Sequence, residues 1–131
     1  MIAIDSSALI AILSLETDTQ KLLNVITHAR AGVISAVSFL ESSIVLAARK
    51  KEAGIWQPFD EFLSQARIEI ITFDEDQARL ARMAFLEYGK GRHPAALNFG
   101  DCAAYALAKS RKVPLLFKGD DFRKTDILSA V

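Results

Sequence analysis

The sequence has few of the features that mark a secreted, disulfide-bonded or membrane-spanning protein. Its 131 residues include one cysteine, Cys102, and only three prolines. A lone cysteine cannot form an internal disulfide, which favours a reducing compartment and a thiol buried in a core. The amino terminus lacks the basic start of a signal peptide, and no run approaches the roughly 18 apolar residues of a membrane span. We therefore expect a soluble, cytoplasmic protein.

The sequence also lacks an excess of charge of either sign. Sixteen basic side chains balance sixteen acidic ones, so the formal net charge is zero. Proteins that attract nucleic acid regardless of its sequence usually carry a strongly basic surface. Any contact with nucleic acid must therefore depend on local patches. Hydrophobic residues make up 51% of the chain, which allows one domain of this length to bury a core.

Short apolar runs alternate with helical patterns along the chain. Strands are predicted over residues 2–4, 33–35, 68–73 and 113–117. Helices are predicted over residues 5–13, 17–31, 38–51, 58–65, 74–87 and 100–111. Buried strands that lack polar alternation and are separated by helices favour a parallel sheet. We expect a single α/β domain over residues 1–131, with helices on both faces of a parallel β-sheet.

Capping and turn residues predict where these elements begin and end. Ser38 is a plausible cap for the helix after the second strand, and that helix should end among Arg49, Lys50 and Lys51. Gly32 is predicted to separate the second helix from the second strand, and Gly54 to form a turn.

Acidic residues stand near the predicted ends of strands. Asp5 follows the first strand, Asp101 opens a helix, Asp120 follows the last strand, and Glu41 lies about one turn into the helix after the second strand. Parallel α/β sheets bind ligands beyond the carboxyl ends of their strands, so four carboxylates could converge there. Taken singly, each acid also has an ordinary explanation as a cap, a solvated helix residue or a turn former.

A group of carboxylates without paired histidines or thiolates suits Mg²⁺ or Mn²⁺ better than zinc. Like charges packed together cost free energy unless a cation compensates them. Such an ion would lower the pKa of a bound water and stabilise the charge that develops on phosphoryl oxygens. The predicted reaction is metal-assisted phosphodiester hydrolysis.

Four segments in order strengthen this interpretation: residues 2–9 (IAIDSSAL), 38–41 (SFLE), 98–108 (NFGDCAAYALA) and 115–122 (LLFKGDDF). They resemble the successive signatures of PIN-domain proteins, and among these the VapC-type toxins of bacterial type II toxin–antitoxin pairs. The resemblance covers essentially the whole chain. It implies a PIN fold and a growth-arresting endoribonuclease that leaves a 5′ phosphate. Kinship suggests transfer RNA as the substrate.

The resemblance also implies roles for individual residues. Asp5, Glu41 and Asp101 would coordinate the metal, with Asp5 and Asp101 as direct ligands. Ser7 matches a hydroxyl position that supports the acidic centre, although it could equally be only a helix cap.

The fourth acidic residue is left open between two neighbours. Many family members place an asparagine or aspartate directly after the last strand, where this chain has Lys118 and Gly119 before two aspartates. We favour Asp120 as the fourth ligand, with Asp121 as its rival, and one of the two could merely hold the loop.

Basic residues near the predicted acids are candidates for gripping an RNA backbone. They are Lys90, Arg92, His93, Lys118 and Arg123. Solvated loop charges explain such a run about as well.

The family further implies partners. It predicts a homodimer and a cognate VapB-type antitoxin that wraps the toxin, blocks the acidic pocket with a basic side chain and binds operon DNA. Two rival functions remain: a phosphoacceptor signalling domain, testable by labelling of Asp74, and a PIN fold that keeps only protein interactions.

Overall fold

A computed structural model describes residues 1–50 and 53–131. Its four strands, all parallel, lie in the order β3-β2-β1-β4. They are β1 (Ile2–Ile4), β2 (Gly32–Ser35), β3 (Ile68–Ile71) and β4 (Leu115–Leu116). The helices in the described residues are α1 (Ser6–Leu13), α2 (Thr19–Ala29), α3 (Ala36–Arg49), α4 (Gln57–Gln65), α5 (Glu75–Tyr88) and α6 (Phe99–Arg111). A short 3₁₀ helix, Asp121–Lys124, follows β4. The predicted parallel α/β fold is confirmed.

Helices cover both faces of the sheet, as predicted. Ala3, Val33 and Leu115 pack on one face with α5 and α6. Their neighbours in the same strands, including Ile4 and Leu116, pack on the other face with α1 to α4. Since successive strand residues point to opposite faces, each short strand contributes to two cores. This double burial is why β1 and β4 are continuously apolar, whereas β3 exposes Glu69 and Ile70.

Helix α3 begins earlier than the sequence predicted. Ser35 caps it, because its Oγ accepts a hydrogen bond from Val37 N at 3.2 Å, and the helix starts at Ala36. The prediction that Ser38 is the cap is wrong, since β2 passes directly into the helix and leaves Ser38 buried inside it. The helix ends at Arg49. Lys51, the last of the predicted end residues, lies outside the described residues.

The boundary between α2 and β2 also differs from prediction. The helix spans Thr19–Ala29, two residues shorter at each end than predicted, and Arg30 adopts a left-handed conformation with φ 66°. Gly32 is not the break but a buried residue of β2. A Cβ added there would lie 3.0 Å from Ile4 Cδ1. The glycine therefore serves close strand packing, and a non-glycine residue ends the helix.

The last two strands are shorter than predicted. Strand β3 stops at Ile71. Strand β4 has two residues, because Val113 N donates to Ala108 O at 3.1 Å and so completes the end of α6. Gly54 lies in a turn with φ +74°, as predicted.

The topology brings several chain segments to one edge of the sheet. Strand β1 lies between β2 and β4, so the residues that follow these three parallel strands emerge side by side. Cys102 near the start of α6 is buried in the core, as expected. Among the described helices, none combines the length and apolar character needed to cross a bilayer.

Candidate active site

Asp5 connects β1 to α1 and is only 2% exposed. It caps α1 through Oδ2, which accepts hydrogen bonds from Ser7 N at 3.0 Å and Ser7 Oγ at 2.5 Å. Its Oδ1 is buried without a hydrogen-bond partner among the described residues. A buried carboxylate oxygen without a donor costs free energy. This atom is therefore available to a ligand that the protein itself does not supply.

The Ser7 hydroxyl joins Asp5 to the loop after β4. Its Oγ accepts a hydrogen bond from Lys118 N at 3.0 Å while donating to Asp5 Oδ2. Because the hydroxyl has a single hydrogen, the bond from Lys118 leaves that hydrogen for Asp5. The cap of α1 is Asp5 and not Ser7, whose hydroxyl instead ties two elements together beneath the carboxylate.

Glu41 approaches from the second turn of α3. Its Oε1 accepts a hydrogen bond from Ser6 Oγ at 2.6 Å. Gly100 lies directly against the carboxylate, since a Cβ added to it would stand 2.5 Å from both Oε1 and Oε2. Neither Ser6 nor Gly100 was predicted to belong to the site. The only available signals were a second hydroxyl after Asp5 and a glycine immediately before Asp101.

Asp101 lies in the first turn of α6 and is held by a reciprocal cap. Its Oδ2 accepts from Asn98 N at 3.0 Å, and its own N donates to Asn98 Oδ1 at 2.9 Å. Asp101 is indeed an anion in the first turn of α6, as its ordinary explanation requires. The same cap also fixes the direction of the carboxylate, and Asn98 was missed as a site residue.

Contacts to two neighbouring residues place these acids close together, because Glu41 is bonded to Ser6, which is adjacent to Asp5, and lies against Gly100, which is adjacent to Asp101. Burial, together with the charges of Asp101 and Glu41, raises the pKa of Asp5 to about 7, against the hydrogen bonds from Ser7. Burial also raises the pKa of Asp101, which the hydrogen bond from Asn98 opposes and the charge of Glu41 reinforces. The structure thus brings Asp5, Glu41 and Asp101 together from three elements.

The two aspartates after β4 differ in their surroundings. The charge of Asp121 contributes to the raised pKa of Asp101. The Asp120 side chain is 85% exposed, and its Oδ1 lies 3.7 Å from Arg123 Nε. Both aspartates are exposed, so the influence of Asp121 on the pKa of Asp101 is what separates them, and which of the two joins Asp5, Glu41 and Asp101 as the fourth acid of the cluster stays a prediction.

Two of the basic candidates for RNA contact already have acidic neighbours. Lys118 Nζ donates to Glu16 Oε1 at 2.5 Å, and the pair raises the pKa of the lysine and lowers that of the glutamate. The Arg123 guanidinium lies over the ring of Phe117 and near Asp120. Both side chains help to order the segment around β4.

The other basic candidates lie in the loop between α5 and α6. Lys90 and Arg92 are exposed. His93 is half-buried, accepts a hydrogen bond from Ala95 N at Nδ1, and packs edge-on against Tyr88 with ring centres 5.0 Å apart. The histidine therefore shapes the loop, while the lysine and the arginine face solvent. A role in binding RNA stays a prediction for all of these residues.

The ligand atoms of the acidic cluster are of the kind that a hard divalent cation prefers. Within residues 1–50 and 53–131, no three His, Cys, Asp or Glu side chains converge closely enough, as they are oriented, to hold an ion. The available donors are nevertheless carboxylate oxygens, the ligands that Mg²⁺ and Mn²⁺ prefer. The unpartnered Asp5 Oδ1 is the atom that such an ion would satisfy. The metal stays a prediction.

Comparison with known proteins identifies the family. The PIN domain family model matches residues 2–128. Ribonuclease VapC of Mycolicibacterium smegmatis is 46% identical over 124 residues, which cover 95% of each chain. The chain therefore belongs to the PIN domain family, in its VapC ribonuclease branch.

Solved structures show the same fold at lower identity. Mycobacterium tuberculosis VapC20, described as a sarcin-ricin loop cleaving toxin, has a TM-score of 0.75 at 15% identity, covering 98% of this chain and 97% of its own. Rickettsia felis VapBC2, solved with a DNA fragment from its promoter, has a TM-score of 0.75 at 19% identity, covering 98% and 96%.

The raised pKa of Asp5 predicts a pH-dependent stability. In metal-free protein the folded state binds this proton more tightly than the unfolded state, so stability should fall as pH rises from about 4 to about 7. Asp5→Asn removes the charge. We expect the variant to be more stable than wild type by about 1–3 kcal/mol at pH 8 in EDTA, with a smaller difference at pH 5.

Urea unfolding at both pH values measures this difference. Asp60→Asn, at an exposed aspartate on α4, serves as the control and should differ little from wild type at either pH. An advantage of Asp5→Asn over wild type that is no larger at pH 8 than at pH 5 would contradict the buried, uncompensated charge.

Proposed function

We propose that this chain is a metal-dependent endoribonuclease and the toxin of a toxin–antitoxin pair. The observation that carries the proposal is the buried, unpartnered Oδ1 of Asp5, which lies within electrostatic reach of Glu41 and Asp101. Membership of the VapC ribonuclease branch supports RNA as the substrate. A bound cation would explain why a carboxylate oxygen lies inside the protein without a hydrogen-bond partner.

Asp5, Glu41, Asp101 and Asp121 are the proposed metal-binding residues. A divalent ion held there would lower the pKa of a water molecule and offset the charge that develops on the phosphoryl oxygens. The chain's own contribution is preorganisation, because Ser7 orients Asp5 and the Asn98 cap orients Asp101. Carboxylates fixed before the substrate arrives need not be reordered during the reaction.

The exposed Lys90 and Arg92 are the basic residues best able to reach an RNA backbone. They lie in the loop that leads into α6, whose first turn carries Asp101. Lys118 is occupied by Glu16 and is a weaker candidate. Because the relative VapC20 is described as cleaving the sarcin-ricin loop, structured RNAs, including transfer RNA, are the substrates to test.

The proposed partner is a cognate VapB-type antitoxin acting in the cytoplasm. The Rickettsia relative was solved as a VapBC complex on promoter DNA, which supports the same organisation here. The antitoxin would cover the acid cluster with a basic side chain, and the toxin would form a homodimer within the complex. A basic side chain placed near Asp5 would compensate its charge as a metal does.

Two alternative functions have less support. A phosphoacceptor role for Asp74 is disfavoured, because this residue caps α5 through a hydrogen bond from Gln77 N at 2.9 Å and follows the edge strand β3. An interaction module without catalysis would not explain why Asp5, Glu41 and Asp101 are kept together.

RNA cleavage by purified, antitoxin-free protein tests the proposal. We expect discrete cuts in total bacterial RNA with Mg²⁺ or Mn²⁺, and loss of at least 100-fold in rate on adding EDTA or in Asp5→Asn and Asp101→Asn, since each substitution removes a proposed ligand. Asp76→Asn, at an exposed acid on α5, should cut like wild type. Equal cutting by all variants would indicate a contaminating nuclease and refute the assignment.

The same cleavage assay tests which aspartate is the fourth acid. Both residues are exposed, but the charge of Asp121 raises the pKa of Asp101, whereas Asp120 lies beside Arg123. We therefore expect Asp121→Asn to lower the cleavage rate by roughly 10–100-fold. Asp120→Asn should change it by less than about threefold. The reverse order of effects would restore Asp120 as the fourth ligand.

A further inference from the structure

The hydroxyl of Ser6 is buried beside the acid cluster and is bonded to Glu41. We infer that Ser6 is a positioning residue that holds the Glu41 carboxylate in the cluster, in a space that exists because Gly100 has no side chain. This inference rests on the proposed function, since it concerns how the same site is prepared for its metal. It assigns a role to two residues that the roles proposed above do not use.

Glu41 needs a positioning residue because Asp5 and Asp101 repel its carboxylate. Its charge raises the pKa of both Asp5 and Asp101, so the three groups repel one another when no cation is bound. Asp5 is fixed by its place between β1 and α1, and Asp101 by its helix cap. Glu41 stands on a longer and more flexible side chain that is only partly buried. Without a restraint, it is the acid that would turn away into solvent.

The restraint comes from the first turn of α1. Two consecutive hydroxyls there serve two different carboxylates, because Ser7 Oγ donates to Asp5 Oδ2 and Ser6 Oγ donates to Glu41 Oε1. The bond from Ser6 is short, at 2.6 Å, as expected for a hydroxyl bonded to a charged acceptor. It occupies one oxygen of Glu41 and fixes the direction of the other.

Gly100 provides the space for the carboxylate. The three atoms nearest to a Cβ added at this position all belong to Glu41, at 2.5, 2.5 and 2.8 Å. A methyl group there could be accommodated only if the glutamate moved. Glycine otherwise weakens a helix relative to alanine, so its presence inside α6 is explained by the close approach of Glu41.

Mn²⁺ binding measured by electron paramagnetic resonance tests the inference on the intact chain without RNA. We expect Ser6→Ala to weaken Mn²⁺ binding by roughly 10–100-fold, the usual effect of removing a group that orients a metal ligand. Ser6→Thr keeps the hydroxyl and should recover most of the affinity. Ser43→Ala removes a hydroxyl that is bonded only to Phe39 O within α3, and should bind like wild type.

A double-mutant comparison separates positioning from general damage to the fold. If Ser6 acts through Glu41, Ser6→Ala should have no further effect on Mn²⁺ binding in a Glu41→Ala background. Gly100→Ala should weaken binding in the wild-type background only. It should also raise the melting temperature in the Glu41→Ala background, because alanine then meets no carboxylate and favours the helix.

The outcomes distinguish this inference from the proposed function. Equal losses from Ser6→Ala with and without Glu41, or no loss in either, would overturn the positioning role while leaving the metal site in place. Failure of the wild-type chain to bind Mn²⁺ or to cut RNA would overturn the proposed function, and the inference with it. In the cleavage assay, Ser6→Ala should lower kcat with little change in KM, since Ser6 does not face the RNA.

Discussion

The rest of the site depends on one constraint, a carboxylate buried at the end of the central strand β1 with one oxygen left without a donor. Asp5 cannot move to solvent, because it caps α1 and its strand is hydrogen-bonded on both sides. Nor does a basic side chain of the described residues neutralise its charge, since the charged groups that shift its pKa are Asp101 and Glu41. Keeping Asp5, Glu41 and Asp101 together therefore lowers the free energy of unfolding.

The neighbouring residues limit this cost and direct the carboxylates. The Ser7 hydroxyl satisfies one oxygen of Asp5, and the Asn98 cap satisfies one oxygen of Asp101. In each case the hydrogen bond lowers the pKa that burial raises. Helix caps thus serve two purposes here, because the groups that begin α1 and α6 also aim the acids. Local folding and the proposed chemistry share the same hydrogen bonds.

Much of the fold could be predicted from the sequence, because buried parallel strands leave a clear apolar pattern between helices. The proximity of Asp5, Glu41 and Asp101 could also be predicted, since the ends of parallel strands meet at one edge, and their role in binding metal stays a prediction. Boundaries were less accurate: Ser38 was predicted as a cap, whereas β2 runs straight into α3 from Ser35. Such a direct junction leaves no loop residues to detect. The sequence indicated which carboxylates lie near one another, but not the groups that orient them.

Those holding groups were missed because their roles depend on contacts between distant segments. Ser6 and Glu41 are 35 residues apart, and Ser7 meets Lys118 across 111 residues. The need for glycine at position 100 is explained only by its contact with the Glu41 carboxylate. Lys118 pairs with Glu16, a partner 102 residues away that the sequence did not indicate, and its predicted contact with RNA stays a prediction. Charge and residue type suggest partners in a sequence, but only the packed chain shows which partner each side chain has.

The most direct test of the central claim is a crystal structure of the protein grown with Mn²⁺, with anomalous scattering recorded at the manganese edge. We expect an anomalous peak within bonding distance of Asp5 Oδ1 and a carboxylate oxygen of Asp101, at about 2.1–2.3 Å. A fully occupied Mn²⁺ site elsewhere, with Asp5 Oδ1 still unpartnered or bonded to a protein donor, would contradict it.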